Sequence, residues 1–151
     1  MATNLEDWKG NRTKIPPGKY ELKCIKAGRS NIWYLGKGGY GQSSKVILWF
    51  EVFGGEHSGQ VLPMFLALSD DGKIHQGSKF FICWYIANGF RRPQRARLKE
   101  MPLSKFINKI FLGKVVDVKP KFGLSDPELP EGLHYSRVDI LYDLVVGNPD
   151  L

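Results

Sequence analysis

This chain is poor in everything that would mark a secreted, membrane-spanning or metal-binding protein. Its 151 residues hold two cysteines, Cys24 and Cys83, both in apolar stretches, so they read as buried thiols of a reducing compartment rather than a disulfide framework. His57, His75 and His134 stand alone, with no Cys or His at ligand spacing, and this argues against zinc. No apolar run approaches the roughly 20 residues that span a bilayer. Glu6 and Asp7 occupy the place where a signal peptide would be cationic and then apolar, so a cytoplasmic location without membrane attachment is expected. No Ser or Cys nucleophile sits in a recognisable elbow, no internal repeat is visible, and no cofactor is implied. Acidic residues are also short, with 15 Asp+Glu against 22 Lys+Arg and a formal net charge of +7. Such an excess favours a polyanionic partner and says nothing about fold.

What is present is a hydrophobic content of 42% with 13% aromatics, enough for a real core in a single domain. Residues 1–15 are polar and read as a flexible arm, leaving residues 16–151 as the domain. Ile15-Pro16-Pro17-Gly18 is a turn signal leading into a first strand from Lys19, with Tyr20, Leu22 and Cys24 on one face. A second strand, Lys45–Phe53, is apolar on both faces: Val46, Leu48, Phe50 and Val52 form one row, Ile47, Trp49 and Phe53 the other. The third, Gln60–Leu68, turns Leu62, Met64 and Leu66 to one side and Val61, Pro63 and Phe65 to the other. Pro63 lacks an N–H, so this strand belongs at an edge or carries a bulge.

The period then changes. Ser78 is the expected N-cap of a helix from Lys79 to about Asn88, stopped by Gly89 and apolar almost all round. Leu103, Phe106, Ile107 and Ile110 lie on one helical stripe and predict a second short helix from Pro102. A fourth strand follows from Phe111 to Lys119. A Pro- and Gly-rich loop then leads to a fifth, Tyr135–Val146, with Val138, Ile140, Tyr142 and Leu144 facing in. The class is mainly β with a helical insertion (α+β). Five strands with helices between the third and fourth fit the OB-fold, a small barrel that binds oligonucleotides or oligosaccharides. An SH3-like barrel or an irregular sandwich keeps the same element order.

Three stretches carry a resemblance: Pro16-Pro17-Gly18-Lys19-Tyr20-Glu21-Leu22, then Val46-Ile47-Leu48-Trp49-Phe50-Glu51-Val52 with Gly59-Gln60-Val61-Leu62, and Phe111-Leu112-Gly113-Lys114-Val115-Val116-Asp117-Val118. They are similar to the strand motifs of small phage-borne proteins related to single-stranded-DNA-binding proteins. That resemblance implies a place among replication and recombination functions. The chain departs from the bacterial type in having no long disordered linker or acidic tail.

The glycine-rich stretch from Gly28 to Ser44 reads as a loop bearing the cations Arg29, Lys37 and Lys45 at its edge and the rings Trp33, Tyr34 and Tyr40. Cations that follow phosphates and rings that stack bases are what single-strand binders use; the bland alternative is a loop whose rings pack back on the barrel. Trp49 and Phe65, projecting from neighbouring strands opposite the core row, are expected to form a stacking platform. Burial by the N-terminal arm or by a second subunit is the competing reading. Between the helices, Arg91, Arg92, Arg95, Arg97 and Lys99 put five cations into nine residues with no acid, which suits phosphate contact. Gly36, Gly38 and Gly41 match G-x-G-x-x-G, but a strand rather than a helix follows, so the match carries no nucleotide site.

The expectation is therefore a non-enzymatic, sequence-tolerant binder of single-stranded nucleic acid, DNA in the first place with RNA not separated from it. The runner-up is an assembly module whose aromatic face forms a homo-oligomer interface. A metal-dependent nuclease built on Asp117-Val118-Lys119 or Glu21-Leu22-Lys23 ranks last, because neither triplet has the upstream acid that a metal site needs.

Overall fold

The computed structural model describes residues 14–36, 39–68, 74–118 and 135–146, with the side chains of all but 30–44 and 146. Five strands and one α-helix follow in the order β1 (Gly18–Gly36), β2 (Gly39–Val52), β3 (Val61–Ala67), α1 (Lys79–Ala87), β4 (Ile110–Val118) and β5 (Tyr135–Val146). They form one antiparallel sheet in the order β3-β2-β1-β4-β5. The sheet curves until β3 and β5 approach each other, but among the described residues no ladder joins them. The protein is thus mostly β with one helix, and its sheet is not closed into a barrel.

Alternation explains the core. Leu22 and Cys24 of β1, Val46, Leu48, Phe50 and Val52 of β2, and Leu62, Met64 and Leu66 of β3 all point to one side and are buried. Against them lie Phe80, Phe81, Cys83 and Trp84 of α1, which buries six of its nine residues and leaves Ile82, expected to be covered, 48% exposed. Phe106 ties the layers together, with ring centroids 6.2 Å from Phe80 and 6.4 Å from Phe111, and Phe111 in turn meets Phe50 edge-on at 5.9 Å. Each such ring contributes about 1.5–3 kcal/mol by leaving water. Pro63 sits on an edge strand, since among the described residues β3 pairs only with β2.

Five expectations need correction. The stretch 28–44 is not a loop: β1 and β2 continue through it as a hairpin paired from Ser30↔Lys45 to Gly36↔Gly39. The helix expected at Pro102 is a single 3₁₀ turn, Leu103–Lys105, because Asn108 takes a left-handed φ of 63° and Ile110 already belongs to β4. In β5, Ile140 and Tyr142 face outward at 41% and 40% exposure, while Leu141 is buried. Register shifts along the β4–β5 ladder cause this, for each extra residue moves the following side chains to the opposite face. Ile15, drawn as the end of a flexible arm, is a core residue: its N–H donates to Ser136 Oγ at 2.9 Å and its carbonyl accepts from the same hydroxyl at 3.1 Å. The fifth concerns Trp49.

Candidate nucleic-acid interface

Trp49 lies on the β2 face opposite the core row, as its alternation requires, but it is 3% exposed and its neighbour Ile47 is fully buried. The outer side of the sheet is covered here, so Trp49 presents no ring to a base. Its buried indole Nε1 has no hydrogen-bond partner among the described residues. Phe65, opposite Ile47 on β3, differs: it is half-buried, and Lys45 Nζ stands 6.0 Å from the centroid of its ring. At that distance the cation–π attraction is weak, yet the pair sets a positive charge over an accessible aromatic edge.

Lys45 and Phe65 open into a cavity of about 220 Å³ lined by Ala67, Lys79, Arg137 and Val138 as well. It sits in the seam between β3 and β5, under the first residue of α1. Asp139 lies between the two further cations, with Oδ1 3.5 Å from Lys79 Nζ and 3.9 Å from Arg137 Nη2. Arg137 Nε is buried and has no acceptor among the described residues. Neither Lys79 nor Arg137 belonged to the residues expected from sequence. They stand 58 positions apart, and only the sheet order, which brings β5 round to β3, sets them beside Lys45.

The arginine-rich segment forms a second cationic surface. Arg91, Arg92, Arg95, Arg97 and Lys99 are all exposed, and among the described residues none has an ion-pair partner. The segment is fixed rather than loose. Asn88 Nδ2 donates to the Arg91 carbonyl at 3.0 Å, and Ile74 N–H donates to the Ala96 carbonyl at 2.8 Å. Since Ile74 precedes α1 and Asn88 ends it, the segment runs back along the helix towards the end that carries Lys79.

A ring precedes this segment that sequence reasoning passed over. Phe90 is 47% exposed and adopts a left-handed φ of 63°, an uncommon conformation for an aromatic residue. It packs edge-on against Tyr85 at 5.7 Å, and Tyr85 stacks on Phe81 at 6.5 Å. The signal was an aromatic placed directly after the helix-stopping Gly89 and directly before Arg91 and Arg92.

Arg29 is exposed on β1. Trp33, Tyr34 and Tyr40 lie in the hairpin, paired as Trp33↔Gln42, Tyr34↔Gly41 and Leu35↔Tyr40, but their side chains, like Lys37 as a whole, fall outside the described residues. Asp117 Oδ1 is buried without a hydrogen-bond partner among the described residues, outside which Lys119 lies. Among the described residues no three His, Cys, Asp or Glu gather as metal ligands, and no helix is long and apolar enough to cross a membrane. No protein-family model, curated protein or solved structure matches this chain.

Proposed function

We propose that the protein binds single-stranded nucleic acid, DNA in the first place, with little sequence preference and on an OB-type scaffold. The strand order with β1 central, the helix between β3 and β4, and the approach of β3 to β5 support that scaffold. The observation that carries the reading is the meeting of Lys45, Lys79 and Arg137 around the accessible ring of Phe65. The exposed segment Arg91–Lys99, led by Phe90, likewise sets a ring beside cations, and these have no ion-pair partner among the described residues. Stacking tolerates any base because every base has a π-face, and cations follow the backbone whatever its sequence. Trp49 drops out of the contact set, and with it the oligomer interface built on a Trp49/Phe65 face. The likeness of the strand motifs to phage-borne single-strand-binding relatives extends the proposal to a cytoplasmic role in replication or recombination of a phage or mobile element.

Anisotropy of a labelled oligo(dT) of about 20 nucleotides, titrated at several salt concentrations, tests this. The expected result is binding at low salt whose log–log salt slope is about −0.7 for each phosphate neutralised on a single strand. Absence of binding at low salt, or affinity indifferent to salt, would overturn it.

A further inference from the structure

We infer that the cavity between β3 and β5 is a subsite for a phosphate monoester, the terminal phosphate of a nucleic-acid strand, with the attached sugar against Phe65. The inference rests on the single-strand-binding reading and assigns one part of the ligand to one part of the molecule.

Charge is the first ground. Lys45, Lys79 and Arg137 contribute three positive charges around the cavity, and Asp139, in reach of both Lys79 and Arg137, removes one. The balance is +2. A terminal phosphate carries about −1.5 to −2 at neutral pH and matches it, whereas an internal diester, with a single charge, leaves an excess. Position is the second ground. Lys79 is the first residue of α1, and no acidic residue stands in that helix's first turn. A cation where the helix dipole is already positive raises the local potential, and an anion is what relieves it. The third ground is Arg137, which lines the cavity with a side chain 41% exposed and, among the described residues, has Asp139 alone as an ion-pair partner. A phosphate supplies its guanidinium with further acceptors, and charge-assisted bonds to phosphate are among the strongest that arginine makes.

Shape completes the case. At about 220 Å³ the cavity is smaller than the roughly 300 Å³ at which pockets for drug-sized ligands begin. It holds a phosphate and part of a sugar, not a run of nucleotides. The remainder of the strand would leave past Phe65 along the β2–β3 side.

The experiment compares the full chain's affinity for one oligo(dT) carrying a 5′-phosphate, a 3′-phosphate, or hydroxyls at both ends, with thymidine 5′-monophosphate as competitor. One phosphorylated end is expected to bind about tenfold more tightly than the hydroxyl strand, a gain of one charge-assisted contact. That preference disappears in Lys79→Gln and Arg137→Gln. It falls in Arg137→Lys, which keeps the charge but loses the planar guanidinium fork, and persists in Arg91→Gln/Arg92→Gln, which weakens all three strands alike. Thermal melts matching the parent protein identify the variants that fold. Equal affinity for the three strands overturns the inference and leaves single-strand binding intact, while no binding to any strand overturns both. Displacement of the phosphorylated strand by equimolar thymidine monophosphate would reassign the cavity to free nucleotides and overturn the strand-end assignment.

Discussion

Burial pushes the thiols of Cys24 and Cys83 up from about 9.0 to about 12. Neither is a nucleophile at neutral pH, because the thiolate is the reactive form and the core disfavours it. The sign of the consequence for stability follows from proton counts. Between pH 9 and 12 the folded chain keeps two protons that the unfolded chain releases, so rising pH favours unfolding. The contribution is fully present below pH 9 and is lost as pH climbs towards 12, at up to about 1.4 kcal/mol per pH unit for each thiol. Urea midpoints measured at pH 8 and pH 10.5 should therefore fall, and the fall should be shallower in Cys24→Ala/Cys83→Ala. An equally steep decline in the double variant would mean that other groups govern alkaline unfolding. Trp49 shows where reasoning from single residues stops. Alternation correctly assigns it to the face opposite Leu48 and Phe50, but alternation says only that a strand has two faces, not whether the second is covered.

At the scale of elements, strength of pattern decided what could be read. The bounds of β3, β5 and α1 follow from period-2 rows and from a cap: Ser78 Oγ accepts from the Phe81 N–H at 3.2 Å, and Gly89 turns left-handed past the helix end. The β1–β2 hairpin was not legible because its glycines signal a loop, yet its backbone pairs in unbroken register from Lys26↔Trp49 to Gly36↔Gly39. The facing of β5 was hidden as well, since bulges belong to the pairing and leave no mark in the strand's own sequence. The cap supplies a prediction. Ser78→Ala removes the acceptor of one helix N–H, and a loss of about 1 kcal/mol is expected in urea unfolding. Because Lys79 lies next to this cap, the same variant should also blunt the preference for a phosphorylated strand end. Gly113 supplies another. A Cβ there would come within 2.8 Å of Leu22 Cδ1, 3.0 Å of the Ile140 carbonyl and 3.1 Å of Leu141 Cδ2. Gly113→Ala therefore makes the buried Leu22 and Leu141 side chains and the β5 backbone at Ile140 give way, and a loss of about 1–3 kcal/mol is expected, as for overpacked cores generally. A melt unchanged from the parent would show that the sheet yields there at no cost.

For the whole molecule, with a formal charge of +7, two cationic features of different kind stand out among the described residues. The seam cavity is concave, holds its cations against a carboxylate, and is assembled from β2, β3, α1 and β5. The segment Arg91–Lys99 is contiguous and exposed at its cations, and it is held at Arg91 by Asn88, which ends α1, and at Ala96 by Ile74, which precedes it. Lys45 and Phe65 could be named from the sequence alone; their partners Lys79 and Arg137 could not, because the approach of the sheet's two ends to each other is a property of the fold and not of any segment. The two features should separate in solution. Replacing Arg91, Arg92, Arg95, Arg97 and Lys99 by glutamine removes up to five phosphate contacts, so the salt slope for oligo(dT) should shrink by as much as about 3.5, at about 0.7 per contact. Stability should hardly change, since all five side chains are exposed and none has an ion-pair partner among the described residues. Phe90→Ala should do the opposite: affinity falls by the 1–3 kcal/mol or so that a stacked base contributes, while the slope stays where it was. If instead the slope survives loss of all five cations, the strand runs elsewhere, and the outward β4–β5 face, where Lys19 Nζ stands 5.1 Å above the ring of Tyr142, is the next surface to neutralise.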